Sequence, residues 1–251
     1  MHRFYIPPGN WRPDALALTG SDAHHCRDVL RMKRGEKLVL FNGCGREITA
    51  EIIDLGRNEI RLRKLHEAET PPLRCQIVLG QAVPKGKNME LIVQKAVEIG
   101  ADQIAPIISD RTVVQVDPES AVQKQAKWQQ IAIEAAKQSG QNWLPRVHVP
   151  RKLSEFFDAA TSDAGFDLRL IGSLQPDAQH LKKILADYSS EHEHRAQSVL
   201  MLVGPEGDFT PAELALARRY GCRPITLGPI ILRVETAAIY CLSVLSYELL
   251  T

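Results

Sequence analysis

Residues 199–241 read VLMLVGPEGDFTPAELALARRYGCRPITLGPIILRVETAAIYC. The apolar run Val199 to Val203 has the length of a buried strand and stops at Gly204-Pro205-Glu206-Gly207. Thr210-Pro211-Ala212-Glu213 has the form of a capping box with proline at the first helical position, so a helix opens there. Gly221 closes that helix and a short apolar run follows. Leu227-Gly228-Pro229 then begins a second loop, which leads through Arg233, Glu235 and Thr236 into a final helix. Two strand ends, each followed by a loop and a helix, are how α/β domains build ligand sites.

The stretch GPEGD matches neither GxxxxGK[ST] nor GxGxxG, so neither a P-loop nor a dinucleotide fingerprint is present there. Gly204 and Gly207 let backbone approach a flat ligand closely, and Glu206 adds a carboxylate for a ribose hydroxyl, an ammonium or a target group. The same residues also suit a plain strand-to-helix turn. Leu227 to Ala237 is more unusual: it is apolar, broken by Gly228-Pro229, and ends in Arg233 and Glu235. The backbone N–H and C=O groups of such a loop need partners, and an adenine edge would supply them. Glu235 or Thr236 falls at the start of the last helix, where the dipole favours an anion or an acceptor.

Upstream, strands and helices alternate from residue 73 onward. Cys75 to Gly80 reads as a strand and Pro84-Lys85-Gly86-Lys87 as a basic loop. Asn88 can cap a helix with the apolar stripe Met89, Ile92, Val93, Ala96 and Val97, which Gly100 ends. Gln103 to Ile108, Arg146 to Val149 and Leu168 to Gly172 read as further strands. A long helix starts at Asp117-Pro118 and ends at Gly140, and residues 150–165 and 175–197 read as surface helices and loops. The alternation implies a mostly parallel sheet covered on both faces.

Residues 1–70 have a different rhythm. Lys37 to Phe41, Glu47 to Leu55 and Glu59 to Leu65 are short, β-like and separated by turn residues, which suits a small barrel or sandwich. A helix capped by Ser21 or Asp22 interrupts them and carries HHCRDVLRMKRGEK, His24 to Lys37. Its Arg27, Arg31, Lys33, Arg34 and Lys37 outnumber Asp28 and Glu36, which makes either a phosphate-binding patch or a solvated helix face. The polar, proline-rich Glu67 to Pro72 reads as the linker between the two parts.

Hydrophobic residues make up 44% of the 251 and charged residues 24%, so the chain can bury a large core without staples. The net charge is +1, so attraction to a polyanion must come from a local patch. Cys26, Cys44, Cys75, Cys222 and Cys241 are scattered and odd in number, which points to free thiols in a reducing compartment. No metal site is expected: Glu191-His192-Glu193-His194 has no helical His pair and no third partner nearby. No signal peptide or membrane-length apolar run is visible, so a cytoplasmic location is expected.

Together these stretches resemble the ribosomal RNA small subunit methyltransferase E family of SPOUT-class enzymes. The matching residues begin with His25, Val29-Leu30-Arg31-Met32, Gly35, Leu38, Leu40-Phe41 and Gly43. They continue with Lys87, Met89-Glu90, Gln94-Lys95 and Glu98-Ile99-Gly100, then Glu134 to Gly140 with Pro145, and both C-terminal loops. Order and spacing agree over essentially the whole chain. Three positions depart from the family pattern: Asp208 replaces a glycine, and Gln141 and Ile230 each replace an arginine.

The resemblance implies an α/β fold: a SPOUT-type parallel sheet with a C-terminal trefoil knot over residues 73–251, and a small PUA-like RNA-binding β-barrel over residues 1–70. It implies S-adenosyl-L-methionine as methyl donor, no metal, and methylation of N3 of a uridine in 16S rRNA of the small ribosomal subunit. The implied cofactor residues are Gly172, Ser173, Val203, Gly204, Pro205, Gly207, Leu227, Gly228, Pro229, Ile231, Leu232, Thr236 and Ala237. Arg233, Glu235 and Glu206 are the catalytic candidates; Arg3, Arg27, Arg31, Lys33, Arg34, Lys85 and Lys87 are the RNA-binding candidates. A homodimer is expected, with Val199 to Val203 and the last helix supplying apolar surface to either core or interface. Ribose 2′-O methylation and a non-catalytic RNA-binding role are the rival readings.

Overall fold

The short alternating segments at the start of the chain become strands. They are β1 (Arg3–Tyr5), β2 (Ala17–Thr19), β3 (Lys37–Phe41), β4 (Arg46–Leu55) and β5 (Glu59–Glu69). They pair in the order β1-β3-β4-β5-β2, with β1 parallel to β3 and the remaining pairs antiparallel. Alternation puts Leu38, Leu40, Ile48, Ala50, Ile52 and Ile60 into one fully buried core with Leu18 and Cys26. Each large aliphatic side chain buried there contributes roughly 1.5–3 kcal/mol.

The helix expected across His24 to Lys37 stops early. Helix α1 (Gly20–His24) runs into a single π-helical turn, His25–Val29, and ends. Arg31 takes φ 54°, Met32 is buried, and Lys33 to Glu36 form a turn in which Glu36 N donates to Lys33 O at 3.1 Å. Arg31, Lys33 and Arg34 therefore follow the helix in the segment that leads to β3, while Arg27 lies on the π-helical turn and Lys37 begins β3. The linker is also shorter than its composition suggested. Glu67 and Glu69 belong to β5, opposite Ile48 and Arg46, which leaves Thr70 to Pro72.

The computed structural model describes residues 1–112, 117–160 and 165–251. The part of the expected loop at residues 161–164 lies outside the described residues. The chain divides into two compact units: Met1–Pro72 with Ile133–Leu144, and Leu73–Ala132 with Pro145–Thr251. Residues 133–144, which lie within the stretch read as the second part, group with the first compact unit. Gly45 N donates to Asn142 O at 3.0 Å, Leu144 N to Gly43 O at 3.0 Å, and Trp143 Nε1 to Thr70 O at 2.9 Å. Arg3 completes this link through Glu47 at 2.9 Å and through Asn142, with its guanidinium over the Phe41 ring. Burial opposes ionisation of Glu47, but hydrogen bonds from Arg3 and Asn142 outweigh it and hold the carboxyl below its usual value.

In the second unit the alternation becomes β6 (Gln76–Ala82), α2 (Asn88–Ile99), β7 (Gln103–Ile108), α3 (Pro118–Ser139), β8 (Arg146–Val147), β9 (Arg151–Lys152), α4 (Leu153–Ala160), β10 (Leu168–Gly172), β11 (Gln179–His180), α5 (Leu181–His192), β12 (Ser198–Val203), α6 (Pro211–Arg219), β13 (Arg223–Thr226) and α7 (Val234–Leu249). The last seven residues of α3 lie in the range that belongs to the first unit. The strand order is β11-β13-β10-β12-β6-β7-β8, β9 also pairs β7, and every pairing is parallel. The strand expected at Arg146 to Val149 is shortened to Arg146–Val147, and His148, Val149 and Pro150 separate it from β9.

Val78, Ala82, Ile107, Ile171, Leu200 and Leu202 share one core with Leu153 and Phe157 of α4 and Leu214 and Ala217 of α6. Ile77 and Leu79 alternate with those positions on β6 and are equally buried, which puts apolar surface on the opposite face. There α7 packs on β6, β12 and α2. The expected stripe of α2 is its buried set: Met89, Ile92, Val93, Ala96 and Val97. Val199 to Val203 and Ala237, Ala238, Leu242 and Leu245 are buried inside this unit, so they serve its own core. Among the described residues no helix is long and apolar enough to cross a membrane.

Candidate functional site

A cavity of about 450 Å³ opens at the carboxyl ends of three adjacent parallel strands, β13, β10 and β12. That volume falls in the range of small-molecule sites, about 300–1,000 Å³. Strand β10 delivers Gly172 and Ser173, and β12 delivers Val203, Gly204, Pro205 and Glu206. The chain after β13 delivers Leu227, Gly228, Ile231 and Leu232, then Arg233, Glu235 and Ala237 at the start of α7.

Three expected residues are not in the lining: Gly207, Pro229 and Thr236. Gly207 is exposed and turned to Arg111, whose Cδ would lie 3.4 Å from a Cβ placed there. Thr236 and Pro229 are exposed to solvent. Six residues that were not assigned to the site do line it: Asn88, Leu174, Asp208, Thr226, Ile230 and Val234.

The GPEGD turn is closed by its own side chains. A Cβ on Gly204 would lie 3.2 Å from Asp208 Oδ1 and 3.2 Å from Phe209 N, tighter than ordinary packing permits. Asp208 N donates to Pro205 O at 2.9 Å. Thr210 and Glu213 form the capping box read from the sequence, with Glu213 N donating to Thr210 Oγ1 at 3.2 Å.

The second loop is open by comparison. Among the described residues, the hydrogen bonds made between Leu227 and Leu232 are those of Gly228 with the Thr226 hydroxyl, at 3.3 and 3.5 Å. Arg233 is the N-cap of α7 and gives no side-chain capping bond, so the first amides of a 16-residue helix also lack a side-chain partner. Unpaired backbone donors and acceptors around an apolar cavity fit a flat heterocycle with hydrogen-bonding edges. They fit an adenosyl group.

Asn88 was expected to cap α2. Lys87 takes that position, and Asn88 Nδ2 instead donates to Glu235 Oε2 at 3.1 Å. Glu206 Oε1 accepts from Lys85 N at 2.9 Å, which ties the basic loop before α2 to the GPEGD turn. Arg233 is exposed and has no carboxylate partner among the described residues.

The RNA-binding candidates divide. Arg31, Lys33, Arg34, Lys85 and Lys87 are exposed and make no ion pair among the described residues. Arg3 and Arg27 are committed within the first unit. Arg27 pairs with Asp28 at 2.6 Å and donates to Gly56 O at 3.2 Å; the Arg27 bond, with His24 adding to it, holds the Asp28 carboxyl down at about 2. Arg3 serves the Glu47–Asn142 link, so both arginines have partners within the first unit. His192 stacks on Tyr188 at 4.1 Å, and no three His, Cys, Asp or Glu side chains cluster as metal ligands among the described residues.

Comparison with known proteins extends the geometry. The RNA methyltransferase domain family matches residues 71–246, and the RNA methyltransferase PUA domain family matches residues 18–65. A relative named ribosomal RNA small subunit methyltransferase E from Bacillus subtilis is 30% identical, over 93% of this chain and 90% of its own. The chain belongs to the ribosomal RNA small subunit methyltransferase E family. Among solved structures, a putative methyltransferase from Legionella pneumophila in complex with the bound cofactor SAM is 34% identical, with a TM-score of 0.85 over 98% of this chain and 97% of that one. The family enzyme from Neisseria gonorrhoeae, bound to S-adenosyl methionine, is 30% identical, with a TM-score of 0.84 over 99% and 98%.

Proposed function

We propose that this protein is an S-adenosyl-L-methionine-dependent methyltransferase acting on N3 of a uridine in 16S rRNA of the small ribosomal subunit. The observation that carries this reading is the cavity at the ends of β13, β10 and β12, walled by a loop with unpaired backbone groups. Family membership supports it, as do relatives whose structures hold the same cofactor.

The backbone of Leu227 to Leu232 would hold the heterocycle edge, and Gly172, Ser173, Val203, Gly204, Pro205 and Ala237 would enclose the rest. When bound, S-adenosylmethionine supplies an electrophilic methyl group. N3 of uracil carries a proton that must leave as the new bond forms, so the protein has to favour the ring anion and receive the proton. Arg233 has the free positive charge for the first task. Glu206 and Glu235 each have one oxygen engaged, by Lys85 N and Asn88 Nδ2, and a second available to position the base or accept the proton.

Residues 1–70 form the RNA-binding PUA-like part in this reading, and 73–251 the methyltransferase with a C-terminal trefoil knot. Exposed Arg31, Lys33, Arg34, Lys85 and Lys87 meet phosphates. The protein works as a homodimer in the cytoplasm; Tyr240 and Tyr247, exposed on α7, are apolar surface suited to a second copy.

The test is methyl transfer onto small ribosomal subunits from a strain lacking the protein, followed by mapping of the modified nucleotide. N3-methyluridine is expected. A ribose 2′-O-methyl product, or a folded protein that binds no S-adenosylmethionine by calorimetry, refutes the proposal.

A further inference from the structure

The end of β7 carries an arginine that neither the motifs nor the cavity lining single out. Ser109, Asp110 and Arg111 follow β7 directly, and they are tied to the turn after β12 by one buried carboxylate. Glu213 is only 6% exposed. It accepts from Ser109 Oγ at 3.1 Å, Asp110 N at 3.0 Å, Thr210 N at 2.8 Å and Thr210 Oγ1 at 3.0 Å. A buried carboxylate with this many donors is fixed in place, and it fixes the backbone on either side of it.

Arg111 is the side chain that this hydrogen-bond cluster positions. Ser109 Oγ accepts from Arg111 N at 3.3 Å, and Thr112 closes the turn through Ser109 at 2.9 and 3.0 Å. Arg111 Nη1 donates to Gly207 O, between Glu206 and Asp208 of the cavity wall. The residue is exposed and has no carboxylate partner among the described residues. A guanidinium has five N–H donors in a planar fork, so one bond to a carbonyl leaves others for a ligand. The Arg111 stem lies against the turn: a Cβ placed on Gly207 would be 3.4 Å from Arg111 Cδ, an ordinary packing contact.

We infer that Arg111 is a further contact of the second unit to the RNA strand, besides Lys85 and Lys87: it binds a phosphodiester next to the target base, with Glu213 as its positioning residue. The inference rests on the proposed rRNA substrate and deepens it. Arginine anchored at a rigid turn suits this task, since phosphate accepts two parallel N–H bonds from the fork.

The test measures binding of small-subunit rRNA across a salt series for wild type, R111A, R111K and E213Q, with S-adenosylmethionine affinity and thermal unfolding measured alongside. For R111A, the slope of log K against log salt becomes shallower by about 0.7–0.9, one phosphate contact, and KM for RNA rises about tenfold. R111K keeps most of the slope, because charge is retained. E213Q weakens RNA binding through the loosened hydrogen-bond cluster, and R111K does not share this loss. An R111A slope equal to wild type overturns the inference, and a fall in cofactor affinity alone assigns Arg111 to holding the turn. If wild type itself fails to methylate or bind the rRNA, the functional proposal has failed instead.

Discussion

Asp208 and Phe209 close the cofactor-side turn between them: Asp208 sits at φ 62° and its Oδ1 accepts the Phe209 N–H at 2.8 Å. The family pattern that the sequence resembles places glycine here, and the left-handed region is costly for side chains bearing Cβ, by about 1–2 kcal/mol. Aspartate is one of the few residues that offset this cost with a local hydrogen bond. The substitution therefore preserves the turn, although Asp208 does line the cavity. Asp208→Gly should leave stability within about 1 kcal/mol, since relief of strain and loss of the bond oppose each other. Asp208→Ala keeps the strain, loses the bond and should cost about 1–2 kcal/mol. Urea unfolding of the two variants decides this, and equal losses would show that the side-chain bond does not support the turn.

Gly80 is required by the sheet and not by a turn. A Cβ there would lie 2.3 Å from Leu202 Cδ2, across the β6–β12 pair that places Gly80 opposite Leu202. Both residues are buried, so the clash cannot relax into solvent. Gly80→Ala should destabilise by about 1–3 kcal/mol through overpacking. Adding Leu202→Ala, which opens space at the point of the clash, should make the double variant less destabilised than the sum of the two single changes. Strictly additive losses in denaturant unfolding would show that the two side chains do not compete for the same space.

How far the sequence was legible depends on range. The capping box at Thr210–Glu213, the α2 stripe and several strands were readable because a few neighbouring residues set each one. The helix expected at His24 to Lys37 was misread because a π turn and a left-handed Arg31 leave no periodic signal. Asn88 bonds Glu235, 147 residues away, and Arg3 bonds Asn142, 139 away. Such partners are chosen by the fold, so a residue that looks like a helix cap or a free cation can be committed elsewhere. In the cavity, the glycines marked the turn, but only the geometry shows that Gly207 faces Arg111 and Asn88 faces inward.

The thiols should be graded by burial. Burial pushes Cys75, Cys222 and Cys241 up to about 12 and also raises Cys26, where Glu36 adds to the effect. Cys44 alone of the five is exposed. Alkylation with iodoacetamide at pH 8 in native buffer should modify Cys44 first, because the thiolate is the reactive form and the others are both protonated and covered. Peptide mapping should find the remaining sites labelled only after denaturant is added. Native labelling of Cys75, Cys222 or Cys241 at a comparable rate would mean that this core opens far more readily than its packing implies.

The Asn88–Glu235 bond joins the start of α2 to the start of α7 at 3.1 Å, and both residues line the cavity. If Glu235 positions the target base or takes its proton, Asn88 acts by holding that carboxylate in place. Glu235→Gln should then lower methyl transfer by about 100-fold or more, in line with loss of a general acid–base group. Asn88→Ala should cost less, about tenfold, because the carboxylate remains and only its orientation is freed. Once Glu235 is changed, Asn88→Ala should have little further effect, giving a coupling of about 0.5–3 kcal/mol in a double-mutant cycle on kcat/KM. Calorimetry with S-adenosylmethionine separates this role from simple cofactor binding, since the losses should fall on turnover and leave Kd nearly unchanged. Additive effects in the cycle would show that the two residues act on separate steps.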